Sequence, residues 1–296
     1  LGGGSRVCHN QHMTTSFQNI VIVGREEDPR VGEPLQLLSQ HLIKAGARLL
    51  HRDEIDAADL VIAIGGDGTM LHASRLTRES GIPILGINRG RLGFLADVTP
   101  DEMITSVDHV LSGNYTTDTR LVLEARLQRA SGKDEVAFAL NDVVLQRRET
   151  GRMVDFETRI ANRYVNTHSG DGLIVATPTG STAYALSCGG PIIEPHLDAV
   201  VIVPVCPHTL TDRPIVVSAD RLVEVTLLQR DETKAEITVD GFSLGGISPT
   251  DKLRISAANK RVTLVHPPGY DFYEILRSKL FWGRDSRNRD KEILES

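Results

Sequence analysis

An aspartate set among glycines, Gly65-Gly66-Asp67-Gly68-Thr69, follows the apolar run Leu60-Val61-Ile62-Ala63-Ile64 and precedes a helix-like stretch. Glycines let backbone N–H groups approach an anion closely, and the first turn of a helix adds unpaired donors and the positive end of its dipole. That combination suits a phosphate. A carboxylate there repels phosphate unless a metal ion intervenes or its task is to accept a proton from an attacking hydroxyl. The loop matches neither the three-glycine dinucleotide fingerprint nor the Walker loop with its Gly-Lys-Ser/Thr ending. A tight strand-to-helix turn is the competing reading, weakened by an acid that a simple turn does not need.

A second constellation runs from Asp171-Gly172 through a strand to Thr177-Pro178-Thr179-Gly180-Ser181-Thr182-Ala183-Tyr184, and on to Gly189-Gly190-Pro191. Hydroxyls and glycines at a helix start make an anion or ribose site, with Tyr184 offering a flat face to an adenine. Helix capping accounts for one or two such hydroxyls, not readily for Thr177, Thr179, Ser181 and Thr182 together. Between the two motifs, Asn141-Asp142 interrupts the apolar strand-like run Ala139 to Leu145. Neighbouring strand residues point to opposite faces, so one of the pair faces a core or a cleft, where it could hold ribose hydroxyls; a plain strand end is the alternative. His72, one turn beyond Gly68, either reaches a phosphate or is solvated. Arg152 has the same two readings, the second as a loop charge near Arg147 and Arg148. No histidine or cysteine shows metal-ligand spacing.

These residues need elements to place them. From Asn19 to about Asp97 short apolar runs (Ile20 to Val23, Leu60 to Ile64, Ile82 to Ile87) alternate with helix-length segments (Leu35 to Ala45, Met70 to Arg78). This pattern predicts parallel βαβ units with ligands at the carboxyl ends of the strands. After a helix over Asp101 to Leu111 the texture turns to period-two alternation. It is clearest at Leu121 to Leu127 and Val223 to Leu227, with further strands at Ala137 to Gln146, Met153 to Ile160, Leu173 to Ala176, Val200 to Val205, Ala235 to Asp240, Lys252 to Ser256 and Arg261 to His266. The expected fold is α/β plus all-β: a Rossmann-like parallel α/β domain over 13–98, then a β-sandwich domain over 99–269. A helical tail, 270–283, is expected to pack back on the first domain.

The 296 residues suffice for two cored domains. Thirty-nine acidic against 33 basic side chains give a formal charge of −6, which disfavours nucleic acid and anionic membrane surfaces as partners. The longest apolar runs, such as Ala199 to Val205, fall short of the roughly 20 residues of a membrane helix. Three cysteines, Cys8, Cys188 and Cys206, suggest neither a disulfide framework nor a zinc site, and Cys188 and Cys206 read as small buried hydrophobes. With no secretory signal evident, the cytoplasm is expected. Leu1 to His12 reads as a scar or upstream read-through and is set aside.

Taken together, Gly65 to Thr69, Gly86-Ile87-Asn88-Arg89-Gly90-Arg91-Leu92-Gly93-Phe94-Leu95, Asn141-Asp142, Asp171-Gly172, Thr177 to Ser187 and Pro207-His208-Thr209-Leu210 resemble the bacterial NAD kinases in order and spacing. The likeness runs from about Ile20 to Trp282. The glycine loop is shared with diacylglycerol and sphingosine kinases and with phosphofructokinases, but its combination with Thr177 to Ser187 is specific. The resemblance implies that Asp67 takes the proton from the 2′-hydroxyl of the adenosine ribose of NAD, whose oxygen attacks the γ-phosphoryl group of ATP. It further implies a dinucleotide site of Gly68, Phe94, Asn141, Asp142, Asp171, Thr182, Ala183, Tyr184, Ala185, Leu186 and Ser187, with His72 and Arg152 contributing. A divalent cation, Mg2+, would come with ATP, and no metal site of the protein's own is implied. A homodimer or homotetramer is implied too, with Asp240 reaching a neighbour's ligand. Three positions depart from the family pattern: Ser169 where Arg or Lys is common, Phe242 where a glutamine is common, and Asp142 where Glu is frequent. The rival readings are a lipid kinase of the diacylglycerol or sphingosine type, disfavoured by the lack of a basic amphipathic surface helix, and a nucleotide-binding regulator without catalysis.

Overall fold

The computed structural model describes residues 16–25, 28–90, 93–148, 153–229 and 234–282. In chain order its elements begin with β1 (Asn19–Gly24), α1 (Pro29–Lys44), β2 (Arg48–Leu50), β3 (Leu60–Gly65), α2 (Asp67–Thr77), β4 (Ile84–Asn88) and α3 (Met103–Leu111). A run of strands follows: β5 (Thr116–Arg120), β6 (Leu123–Gln128), β7 (Glu135–Ala139), β8 (Asp142–Arg147), β9 (Val154–Ile160), β10 (Arg163–Gly170) and β11 (Gly172–Ala176). The four-residue α4 (Tyr184–Ser187) precedes β12 (Ala199–Val205), β13 (Ile215–Ser218), β14 (Val223–Leu227), β15 (Ala235–Val239), β16 (Phe242–Ile247), β17 (Lys252–Ala257), β18 (Val262–His266) and α5 (Phe272–Leu280).

The described residues form two compact units. One contains the chain up to Gly66, Leu85–Thr116 and the residues from Val265 onward. Its strands lie in the order β2-β1-β3-β4, with β1 parallel to both β2 and β3. Every residue of β3 is buried, as expected of a parallel strand covered on both faces, which reads as a continuous apolar run. Helix α1 starts where Asp28 accepts the Arg30 N–H, with Pro29 in the first turn, where a missing amide hydrogen costs nothing. Leu38 and Leu42 of α1 and Val107 and Val110 of α3 pack with Ile20, Ile62 and Ile87 in one core.

The other unit comprises Asp67–Ile84 and Thr117–Leu264. Two antiparallel sheets, β10-β9-β14-β17-β6-β7 and β13-β12-β11-β8-β15-β16, enclose a core that includes Leu123, Leu127, Val143, Leu145, Phe156 and Ile237. The outer face of the second sheet carries a smaller apolar layer in which Val144, Ile174 and Val203 pack against Ala185 and Ile193. The cut between the units falls between Gly66 and Asp67, so α2 belongs with the β-rich unit.

Three expectations need correction, and three strands of the antiparallel sheets were not foreseen. The run Ala137 to Gln146 is two strands in different sheets, β7 and β8, because the N–H groups of residues 140–142 donate to a carboxylate instead of a neighbouring strand. Strands β10, β13 and β16 escape the alternation pattern because each is a sheet edge with mostly exposed or half-buried side chains. The helix expected to start in the Thr177 to Tyr184 run is one short 3-10 turn plus the single turn of α4, ended by Gly189 at φ +82°. Cys206 is exposed and Cys188 half-buried, so neither is a core residue.

Candidate active site

Helix α2 begins at Asp67 itself, immediately after the buried strand β3. Asp67 is half-buried, Gly68 and His72 are exposed. Neither Gly66 nor Gly68 has a positive φ, and a Cβ built on either meets no atom within 4 Å. Neither backbone strain nor packing within the chain therefore demands glycine there; what glycine leaves is room beside the N–H groups that open the helix.

One turn along α2, Leu71 lines a cavity of about 350 Å3 together with Asn141, Asp142, Tyr184, Thr238 and Asp240. The cavity lies where β8 begins and its partners end: Ala176 of β11 stands opposite Asp142, and Val239 of β15 opposite Val143. Asp142, Val144 and Gln146 alternate onto the cavity face of β8, whereas Val143 and Leu145 point into the sandwich core.

Asp240 organises this corner. It and Gly241 form the two-residue turn between β15 and β16 with φ of +48° and +79°, the pattern of Asp-Gly hairpin turns. The Asp240 side chain folds inward, and its Oδ2 accepts the Leu140 N–H at 2.9 Å. Its Oδ1 accepts the N–H groups of Asn141 at 2.8 Å and Asp142 at 3.1 Å. The residue is only 8% exposed. A carboxylate so occupied braces the backbone of its own chain. From the other side, Asn141 O accepts the Thr177 N–H at 2.9 Å, and Gly180 lies so close that a Cβ would stand 2.1 Å from that oxygen. The Asn141-Asp142 backbone is thus clamped between the hairpin turn and the 177–182 loop.

Asp142 is 6% exposed. Burial pushes its carboxyl up to about 7, with the charge of Asp240 adding to the rise. Burial also raises Asp240, but its three N–H bonds and the Arg75 charge oppose that. On balance Asp240 is raised as well, so both carboxyls of this corner keep their protons to higher pH than an ordinary carboxyl.

The hydroxyls of the second motif are used by the fold. Thr177 Oγ1 donates to Leu140 O and accepts the Gly180 N–H. Ser181 Oγ donates to Pro178 O and accepts the Ile193 N–H, and Thr182 Oγ1 donates to Thr179 O. Bonds that close the loop thus occupy all three, more than the one or two that helix capping was expected to explain; the Thr179 hydroxyl accepts from Arg120 at 3.4 Å. What the loop presents outward is Tyr184, 44% exposed. Tyr184 also lines a second cavity of about 300 Å3 with Gln146, Arg147, Arg148, Asp171 and Cys206. Here Asp171 is paired with Arg147, whose Nε is 2.6 Å from Oδ1 and whose Nη2 donates to Oδ2 at 3.3 Å.

Of the expected site residues, the β-rich unit gathers Asn141, Asp142, Ala183 and Tyr184 on one cavity and Asp171 on the next. Asp67, Gly68 and His72 sit on the first turns of α2 in the same unit. Ala185 is buried in the apolar layer, Leu186 is half-buried and Ser187 exposed. Phe94 belongs to the other unit, where Lys279 Nζ stands 5.7 Å from its ring centroid. Arg152 lies outside the described residues. Sequence reasoning missed Leu71, Gln146, Thr238 and the pairing role of Arg147. A polar Gln146 and Thr238 on the face of alternating strands was the available signal.

A parallel α/β unit, an antiparallel sandwich unit, a glycine-flanked acid at a helix start and an acid-lined cavity beside a Thr-Gly-Ser-Thr loop together suit a nucleotide-handling protein. Residues 10–115 match the model of the ATP-NAD kinase N-terminal domain and residues 140–267 that of the ATP-NAD kinase C-terminal domain. The NAD kinase of Nitrosococcus oceani is 42% identical over 290 residues, covering 92% of this chain and 99% of its own length. The chain belongs to the NAD kinase family. Its fold is shared with yeast NADH kinase in a crystal structure with NADH, at a TM-score of 0.83 and 23% identity over 90% of this chain and 88% of that one. An NAD kinase from Archaeoglobus fulgidus, solved with ATP, gives 0.69 at 23% identity over 89% and 97%. The lipid-kinase alternative is thereby set aside.

Proposed function

We propose that this chain transfers the γ-phosphoryl group of ATP to the 2′-hydroxyl of the adenosine ribose of NAD, giving NADP and ADP, with Asp67 as proton acceptor. The observation that carries this reading is the opening of α2, where an acid stands between two glycines whose Cβ positions are open, in the same unit as the Asn141, Asp142 and Tyr184 cavity. In the step itself Asp67 takes the hydroxyl proton, the ribose oxygen bonds to the γ-phosphorus, and the bond to the β-phosphate oxygen breaks with ADP leaving. The transition state of phosphoryl transfer is loose, so placement and electrostatics supply most of the acceleration and the base a smaller part.

Asn141 and Asp142 would hold ribose hydroxyls, a protonated Asp142 donating and its ionised form accepting. Tyr184, shared by both cavities, would stack between the two halves of the dinucleotide, with Asp171 facing the second. Gly68, His72, Phe94, Arg152 and the run Thr182 to Ser187 are assigned to the same ligand on the family pattern. ATP would enter as its complex with a divalent cation, Mg2+ being our assignment. We further assign a homodimer or homotetramer and a cytoplasmic location; no helix among the described residues is long and apolar enough to cross a membrane. Replacing Asp67 by Asn tests the central role. The variant should fold and bind NAD but lose most of its turnover, and full activity would leave Asp67 as a structural residue.

A further inference from the structure

Helix α2 is fastened to the β-rich unit by two arginines. Leu71 and Arg75, four apart, share one face of the helix, and Arg78 follows directly after its last residue, Thr77. The Arg75 guanidinium donates through Nη2 to the carbonyls of Val239 at 3.0 Å and Asp240 at 3.4 Å. Its Cζ lies 3.8 Å from the centroid of the Phe242 ring. Arg78 repeats the stacking on Phe138, at 3.5 Å. Phe138 lies on β7 just before the 140–142 segment, and Phe242 follows the Asp240-Gly241 turn. The two platforms therefore flank the segment that Asp240 clamps.

Arg75 thereby connects, in two steps, the helix that starts with Asp67 to the backbone of Asn141 and Asp142. Arg75 holds the hairpin turn by its carbonyls, and the carboxylate of that turn holds the three N–H groups of 140–142. A guanidinium does this as lysine cannot, since its planar fork can donate to two carbonyls while its face lies on an aromatic ring. Phe242 is 61% exposed, so covering the guanidinium is its evident packing role.

We propose that Arg75, oriented by Phe242, is a positioning residue that keeps the Asp67 end of α2 in register with the ribose-holding segment Asn141-Asp142. The proposal rests on the reading of Asp67 as proton acceptor, since only then does the placement of the helix start control turnover. Misplacement of a reacting group by about 1 Å costs on the order of a hundredfold in rate.

The test compares Arg75→Met, Arg75→Lys and Phe242→Leu with the wild type. It measures kcat and KM for NAD, the thermal midpoint, and hydrogen exchange of the α2 amides. For Arg75→Met, kcat per folded molecule should fall about ten- to a hundredfold, with KM for NAD within about threefold of wild type. Residues 67–77 should exchange faster. Arg75→Lys should recover only a small part of kcat, because it restores the charge without the fork or the flat stack, and Phe242→Leu should fall between. An unchanged kcat in Arg75→Met would overturn the proposal, as would a parallel loss of kcat, KM and thermal midpoint, which a purely structural anchor would give. Wild-type protein that makes no NADP would instead refute the kinase reading. The fastening would then be judged on exchange alone, where unchanged rates over 67–77 in Arg75→Met would overturn it.

Discussion

Replacing Asp142 by Asn should change how stability depends on pH. Asp142 has an ordinary carboxyl value of 3.8 in the unfolded chain and about 7 in the folded one. Its folded value is raised, so between these limits the folded state holds a proton that the unfolded state has released. Stability must therefore fall as pH rises from about 4 to 7, at about 1.4 kcal/mol per pH unit. Across the whole window this amounts to about 4 kcal/mol, and between pH 5 and pH 8 to about 3 kcal/mol. An Asn cannot ionise, so the variant lacks this contribution, while titrating groups that do not interact with Asp142 cancel on subtraction. Urea unfolding at pH 5, 6, 7 and 8, followed by circular dichroism, should show the variant gaining on the wild type by about 3 kcal/mol from the lowest pH to the highest. Its offset at pH 5 will reflect how well the amide finds partners, at a cost of about 1–3 kcal/mol if it does not. A difference that stays flat from pH 5 to 8 would refute the reasoning, because Asp142 would then be ionised already at pH 5. The buried Asp142–Asp240 corner would not hold a proton.

Gly180→Ala should be among the most damaging small changes in the chain, since the new methyl would lie 2.1 Å from a backbone oxygen that Thr177 also holds. A loss of at least about 3 kcal/mol is expected in chemical unfolding, and a near-native midpoint would mean that the 141 and 180 backbones separate freely. Asp67→Asn should lower kcat by a factor on the order of 10²–10⁴ while NAD titration by calorimetry stays close to wild type. Tyr184→Ala should weaken NAD binding more than it raises KM for ATP, and an unchanged NAD titration would count against stacking. Removing the Arg147 partner, as Arg147→Met, should weaken NAD binding by freeing the Asp171 carboxylate from its two-pronged hold. Unaltered affinity would remove Asp171 from the site.

The parts of this molecule legible in the sequence were those with a strong local signal. The continuous run Leu60 to Ile64 announced a buried parallel strand, and the alternation at Leu121 to Leu127 and Val223 to Leu227 announced half-buried antiparallel ones. The glycines around Asp67 pointed to the start of α2. What stayed hidden depends on partners distant in the chain. The break between β7 and β8 is made by Asp240, about a hundred residues further on, and nothing near Leu140 signals it except the polar pair itself. The hydroxyl of Thr177 looked like a ligand group because its acceptor, Leu140 O, is brought to it by tertiary packing, while Ser181 and Thr182 donate to carbonyls three residues back within the loop. Edge strands such as β13 bury too little of either face to alternate. Arg147 looked like one of several loop charges until β8 and β11 were laid side by side and it met Asp171. The exchange of Phe242 for the family's common glutamine was visible, but its meaning required seeing Arg75 on its ring.

The most direct test of the whole account is formation of NADP by the purified wild-type chain. It would be incubated with NAD, ATP and magnesium, and the product read with a dehydrogenase that accepts only NADP. The account predicts NADP accumulating in step with ADP, one for one, and none when ATP is left out. Absence of NADP while the protein is folded and binds NAD would contradict it and favour a nucleotide-binding regulator.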